Sequence, residues 1–163
     1  PMQWTSGSNA GFTTGSGTPW LPLAAGADVW NVERQRDDPR SMLTLYKRLL
    51  DLRRREPALA VGSYRQLPAP PGVLAYSRDI SRTEALLYGD TAEAARHPQA
   101  QRVTVALNFG SRPQEVRLEE GGRRTIVLST HLDREGATGS RVKLRGDEGV
   151  ILVDTVQSAS EGR

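Results

Sequence analysis

The chain has 163 residues, 37% hydrophobic and 25% charged, which is material for one domain or for a small domain joined to part of another, and too apolar for a disordered chain. Cysteine is absent, which excludes a disulfide framework and thiolate metal sites, and no run approaches the ~18 apolar residues of a membrane-spanning helix, so no membrane partner is expected. The formal charge of +3 comes from arginines scattered among acidic residues; the one dense basic run, Arg53-Arg54-Arg55, closes a predicted helix where cations complement the dipole, so no nucleic-acid partner is read from it.

The chain opens at Pro1-Met2-Gln3-Trp4 without an initiator methionine and reads as a piece of a larger protein. Residues 1–36 carry almost no periodicity. Gly, Ser, Thr and Pro dominate, with Trp4, Phe12, Trp20, Leu21, Leu23, Val29 and Trp30 irregularly spaced, so a long loop with apolar anchors is expected, of the kind that belongs to a larger scaffold. Asp37-Asp38-Pro39 then supplies a helix start, and Met42, Leu45, Tyr46, Leu49 and Leu52 recur at helical spacing, widened by Leu43 and Leu50. This predicts an amphipathic helix over 39–56 whose stripe is core and which Pro57 stops.

After residue 60 the period changes to two. Strands are predicted at 73–77, 85–88, 103–109, 115–118, 125–129, 141–144 and 149–153, with turn signals at Gly110-Ser111, Gly121-Gly122, Gly136 to Gly139 and Gly146-Asp147. In the strongest strand Val103, Val105, Leu107 and Phe109 share one face, expected to be the core face, and Thr104, Ala106 and Asn108 the other. Short, evenly spaced strands suggest an antiparallel sandwich. Residues 91–101, alanine-rich and polar, read as a surface insertion, and 155–163 as a frayed tail.

Few residues are placed for chemistry. The two histidines, His97 and His131, stand 34 positions apart with no cysteine, which makes no metal-ligand set, and no Gly-x-Ser-x-Gly elbow is present. Gly15-Ser16-Gly17 lacks the Lys-Ser/Thr ending and the preceding strand of a phosphate loop. Asp37 and Asp38 stand before the helix, where capping explains them better than an acid pair for glycosidic cleavage. The aromatics of the first loop suit either anchoring or flat contacts with sugar rings. Anchoring is the preferred reading, with Trp4 and Phe12 the nearest to a ligand role.

The order Pro1-Met2-Gln3-Trp4, Asn9-Ala10-Gly11-Phe12, Pro19-Trp20-Leu21-Pro22, Asn31-Val32-Glu33 with Gln35, Asp38-Pro39, Ser41 with Leu43, Tyr46, Leu49, Leu52-Arg53-Arg54, Pro57-Ala58-Leu59 and Gly62 with Tyr64 resembles the C-terminal part of a family-13 glycoside hydrolase. Within the α-amylase superfamily it is most similar to the α-glucosidase and oligo-1,6-glucosidase branch, which also includes trehalose synthases. The likeness is dense to about residue 64 and looser beyond, resting there on Val73 to Arg78 and Val105 to Phe109. Thr5 stands where the family often has aspartate.

The resemblance implies an α+β fragment: the end of a (β/α)8 barrel (a long loop plus the last helix, residues 1–60), an antiparallel all-β sandwich domain over 61–154, and a flexible tail over 155–163. It implies a parent that cleaves α-glucosidic bonds in short oligosaccharides with retention. The aspartate nucleophile, the glutamate acid/base and the stabilising aspartate of the family lie upstream of the Pro-Met-Gln-Trp motif, so no catalytic residue is assigned in this chain and the fragment alone is expected to be inactive. Pro1, Met2, Gln3 and Trp4 carry over as candidates for the substrate-pocket wall, because such active sites are built from loops at the barrel rim. No cofactor and no metal are implied, the partner is an oligosaccharide substrate, the default location is cytoplasmic, and the oligomeric state is not legible. Two other readings of the parent remain open: a trehalose synthase-type glucosyl isomerase, and a non-catalytic scaffold related to amino-acid transporter heavy chains.

Overall fold

The computed structural model describes residues 1–14, 17–81, 83, 84, 87, 102–119 and 123–155. The expected insertion at 91–101, the Gly121-Gly122 turn and all of the tail after Thr155 lie outside them. The chain divides into two compact units, Pro1–Arg48 and Leu49–Arg163, the division falling inside a helix.

The first unit has little regular structure. A 3-10 turn at Ser8–Gly11 is followed by the short helix α1 (Val32–Arg36) and the first turns of α2 (Met42–Arg55). Helix α2 starts three residues later than the sequence suggests, because Asp38 is used in the turn that precedes it. The Asp38 carboxylate accepts from the Arg40 N–H at 2.8 Å, and its carbonyl accepts from the Ser41 N–H and the Thr44 hydroxyl. Ser41 is the actual cap, its Oγ accepting from the Thr44 N–H at 3.1 Å, which satisfies one of the helix's orphan amides. The predicted stripe is also narrower than expected. Leu45 and Leu52 are buried, whereas Met42, Tyr46 and Leu50, one turn apart along a neighbouring line, are more than half exposed within these 163 residues.

Pro57 ends α2 as expected and at once opens the one-turn helix α3 (Pro57–Val61), taking the first helical position where its missing N–H costs nothing. Gly62 closes α3. A Cβ there would meet the Ala58 carbonyl oxygen at 2.6 Å and that of Asp79 at 2.9 Å, so the close approach of chain segments requires glycine.

From residue 63 the fold is antiparallel. Strands β1 (Ser63–Leu67), β2 (Val73–Asp79), β3 (Arg102–Asn108), β4 (Gln114–Arg117), β5 (Arg123–Ser129), β6 (Gly136–Thr138), β7 (Arg141–Leu144) and β8 (Gly149–Thr155) form a six-stranded sheet, ordered β1-β2-β3-β8-β5-β6, and a two-stranded sheet, β4-β7. Six of the predicted strands are present, within one to two residues at each end. Of the run 85–88 only Leu87 is described, and it is helical, not extended. Strand β1 was not predicted, and Gly136–Thr138, expected as a turn, pairs with β5 instead.

The main core joins Leu67, Ala75, Ala106, Ile126, Val150 and Leu152 of the large sheet to Val116, Val142 and Leu144 of the small one. Its β3 contribution is therefore Ala106, from the face opposite the one expected to be core. Val103, on the opposite face, packs in a second cluster with Ala58 of α3 and Ile80, and Phe109 lies past the strand end, 69% exposed. A central strand covered on both faces has no single core face for alternation to report.

Polar groups lock one end of the sandwich. The buried Glu148 carboxylate accepts from the Ser129 hydroxyl at 2.7 Å, the Arg145 guanidinium at 2.6 Å and the Arg145 backbone N–H at 2.8 Å, and pairs with Arg134 at 3.1 Å. Asn108 ties in the neighbouring turn, its amide donating to the carbonyls of Arg112 and Arg145. Burial opposes the charge on Glu148, yet the hydrogen bonds from Arg145 and Ser129 and the charge of Arg134 outweigh it and hold the carboxyl down at about 2. At the other end Arg102 pairs with Asp79 and Glu119, and Arg65 with Glu119.

Candidate functional site

The four wall candidates form one short segment outside any helix or strand. Along Pro1 to Trp4 exposure alternates: Pro1 and Gln3 are half-buried, whereas Met2 is 51% and Trp4 48% exposed. Met2 and Trp4 are therefore the side chains this segment presents, and Pro1 and Gln3 the ones it covers.

Backbone hydrogen bonds hold this segment. The Trp4 and Thr5 N–H groups both donate to the Ala10 carbonyl, at 2.8 and 3.1 Å, closing a loop around the turn Gly7 to Gly11. Asn9, Ala10 and Gly11 lie consecutively in the left-handed region, with φ of 52°, 50° and 66°. Asparagine and glycine tolerate that conformation, and the buried Ala10 is held in it by its bonds to Trp4, Thr5 and Gly7. Glycine at position 11 is doubly required, because a Cβ would stand 2.8 Å from Thr5 Oγ1. Thr5, where the family often has aspartate, uses that hydroxyl to accept from the Gly7 N–H at 3.2 Å.

On the other side the segment abuts the start of α1. The Gln3 carbonyl accepts from the Val32 N–H at 3.0 Å and the Trp4 carbonyl from the Glu33 N–H at 2.9 Å. Asn31 caps the same helix with its side chain, accepting from the Arg34 N–H at 3.0 Å. Asn31 was legible in the sequence only as part of the family pattern. Asparagine before a first turn that contains glutamate is a helix-start signal that would have marked it.

Within these residues Trp20 is 86%, Trp30 67% and Phe12 44% exposed, and it is the buried Ala10 and Asn31 with main-chain bonds that hold the loop. Asp37 and Asp38 are exposed, Asp38 in the turn before α2, and they do not build an acid pair. Among the described residues no group of His, Cys, Asp or Glu is arranged to hold a metal ion, and His97 lies outside them. Among the described residues no helix is long and apolar enough to cross a membrane.

The family model for the α-amylase catalytic domain matches residues 1–62, the stretch that contains this segment, α1, α2 and α3. The likeness is to the α-amylase family. The chain is 44% identical over 87 residues to the probable oligo-1,6-glucosidase 2 of Bacillus subtilis, a match covering 53% of this chain and 15% of that protein. It is 40% identical over 109 residues to the trehalose synthase/amylase of Mycobacterium tuberculosis, covering 61% of this chain and 18% of that one. The crystal structure of the trehalulose synthase from Pseudomonas mesoacidophila MX-45 superposes with a TM-score of 0.71 at 26% identity, over 95% of this chain and 25% of that one. The chain thus spans a quarter or less of the length of these α-amylase-family relatives. The fold class expected from the resemblance, helices from the end of an incomplete barrel followed by antiparallel β-structure, stands.

Proposed function

We propose that the complete protein carrying this chain is a retaining α-glucosidase of the α-amylase family that hydrolyses α-glucosidic bonds in short oligosaccharides, and that these residues supply none of its catalytic carboxylates. In this reading residues 1–60 close the barrel, 61–154 form its β domain, and Met2 and Trp4, backed by Pro1 and Gln3, line the substrate pocket. The observation that carries it is the coincidence of the family match over 1–62 with a clamped segment that leaves one aromatic and one thioether side chain open to a ligand. A flat apolar ring suits the face of a sugar, and the clamp on both sides of Trp4 preorganises it.

The test is glucose release from maltose, isomaltose and a nitrophenyl α-glucoside. The complete polypeptide is expected to release it and residues 1–163 alone are not; activity of the short chain would overturn the assignment of the chemistry to residues beyond it. A second reading, a glucosyl isomerase, is favoured by the 40% identity to a trehalose synthase/amylase. It predicts interconversion of maltose and trehalose as the dominant reaction, which product analysis of the same assay separates from hydrolysis. A cytoplasmic location belongs to the proposal, and cell fractionation tests it.

A further inference from the structure

We propose that Asn31 is a positioning residue for the substrate wall, acting through α1 to fix the backbone on which Met2 and Trp4 are presented. This rests on the reading of residues 1–4 as a pocket wall. Asn31 is 2% exposed and every side-chain bond it makes goes to main chain: Oδ1 accepts from the Arg34 N–H, and Nδ2 donates to the carbonyls of Ala27 at 3.0 Å and Asp28 at 3.3 Å. Both amide hydrogens are used and the side chain is buried, so its effect on substrate passes through the helix it caps.

That helix is a connector. At its start the Val32 and Glu33 amides hold the carbonyls of Gln3 and Trp4, while the Trp4 N–H is held by Ala10, so the main chain of Trp4 is bonded on both sides and its indole is left open. At its end Gln35 accepts from the Ser41 hydroxyl with its carbonyl, at 2.8 Å, and from the Leu43 N–H with its Oε1, at 3.0 Å, which bonds α1 to the first turn of α2. A helix of five residues is not stable by itself. Its first turn stands on the cap, and when the cap is lost the two amides that grip residues 3 and 4 lose their alignment.

The experiment uses the complete polypeptide, with hydrogen exchange read on peptides covering 1–12 and 27–36 and kinetics on a nitrophenyl α-glucoside. Asn31→Ala is expected to speed exchange of the Val32 and Glu33 amides about tenfold or more, and to raise KM about tenfold with kcat within about twofold, the pattern of lost uniform binding. Asn31→Ser keeps a capping acceptor and sets no charge against the carbonyls of Ala27 and Asp28, and is expected to bring KM most of the way back toward wild type. Asn31→Leu, of similar size and without acceptor or donor, takes the place of Asn31→Ala if the latter does not fold, with the same direction expected. Glu148→Gln, which loosens the other unit, is expected to leave KM unchanged, a separation that a purely structural role of Asn31 would not produce.

Unaltered exchange at Val32 and Glu33 in Asn31→Ala overturns the inference. So does faster exchange with an unchanged KM, when Trp4→Ala in the same assay raises KM. If Trp4→Ala leaves KM unchanged, the wall reading and the inference built on it both fall. If the wild-type protein cleaves no α-glucoside, the proposed function falls, and the exchange measurement still decides whether Asn31 holds the segment.

Discussion

The two units of this chain are ordered by different forces. Of the largest fully buried side chains among the described residues, Leu144, Leu152, Val103, Val116, Val142, Val150, Glu148, Thr104, Ser77 and Ser129 all lie after residue 48, and Asn31 alone lies before it. The β unit is therefore held by apolar burial, at about 1.5 to 3 kcal/mol per large side chain. In the first unit apolar groups stand largely open, and caps, a left-handed turn and main-chain bonds set the conformation. A region built this way adopts a defined shape with little stability of its own, which suits a segment that presents side chains and relies on a larger scaffold for its stability.

The sharpest way to break that contrast is to open a cavity in the β core. Leu152 sits at the centre of the large sheet between β3 and β5 and has no exposed surface. Leu152→Ala is expected to destabilise the β unit by about 2 to 5 kcal/mol, measured by urea unfolding followed through far-UV circular dichroism. Hydrogen exchange at Trp4, Thr5 and Phe12, whose bonds close within the first unit, should change far less. Equal loss of protection in both regions would show that the first unit draws its stability from the β core.

Next in size is the Glu148 cluster. Replacing Glu148 with glutamine removes the charge that Arg145 and Arg134 pair with and is expected to cost about 1 to 3 kcal/mol, the penalty for leaving buried hydrogen-bonding groups poorly matched. The pH dependence gives the sign. The folded carboxyl is held at about 2, below its ordinary 4.5, so its contribution is complete above 4.5 and is lost as pH falls toward 2. Wild-type stability should therefore decline more steeply than that of Glu148→Gln across that window, as read by thermal melts at successive pH values. Parallel curves would remove Glu148 from the account of what holds this unit.

A smaller effect is expected in the first unit. Gly11→Ala forces a side chain into a left-handed position against Thr5 Oγ1, at a cost of about 1 to 2 kcal/mol for the conformation alone. Its signature should be local: faster exchange of the amides of residues 4–12 with an unchanged midpoint for the β unit.

How far the sequence carried this picture depends on what each element buries. The body of α2 and strands β2, β3, β5, β7 and β8 announce themselves because their side chains alternate or recur against a core. Strand β1, Ser-Tyr-Arg-Gln-Leu, and β6, Gly-Ala-Thr, sit at the two edges of the large sheet and are held by main-chain pairing, to which side-chain periodicity is blind. The same reason hid the turn at Asn9 to Gly11 and the bonds from α1 to Gln3 and Trp4. The proposed wall segment is visible through the family pattern, whereas Asn31, proposed to steady it, carries only the faint mark of a helix cap. Two-sided burial of β3 misdirected the core assignment, since Ala106 is too small to stand out against the valines beside it.

The smallest effect on stability belongs to the open aromatics, and it sharpens the comparison from the other side. Trp20→Ser removes a ring that is 86% exposed and is expected to shift unfolding by less than about 0.5 kcal/mol, as for surface positions without buried contacts. Association should respond instead. With Trp20, Trp30, Met42 and Tyr46 all open, residues 1–163 by themselves carry apolar surface of the kind that drives self-association. Light scattering across a concentration series should show oligomers or aggregates in the wild-type chain that Trp20→Ser with Trp30→Ser reduces, at an unchanged unfolding midpoint. A wild-type chain that stays monomeric throughout would mean that these rings are tolerated in water singly and need no scaffold to cover them, which would remove one reason for assigning the first unit to a larger barrel.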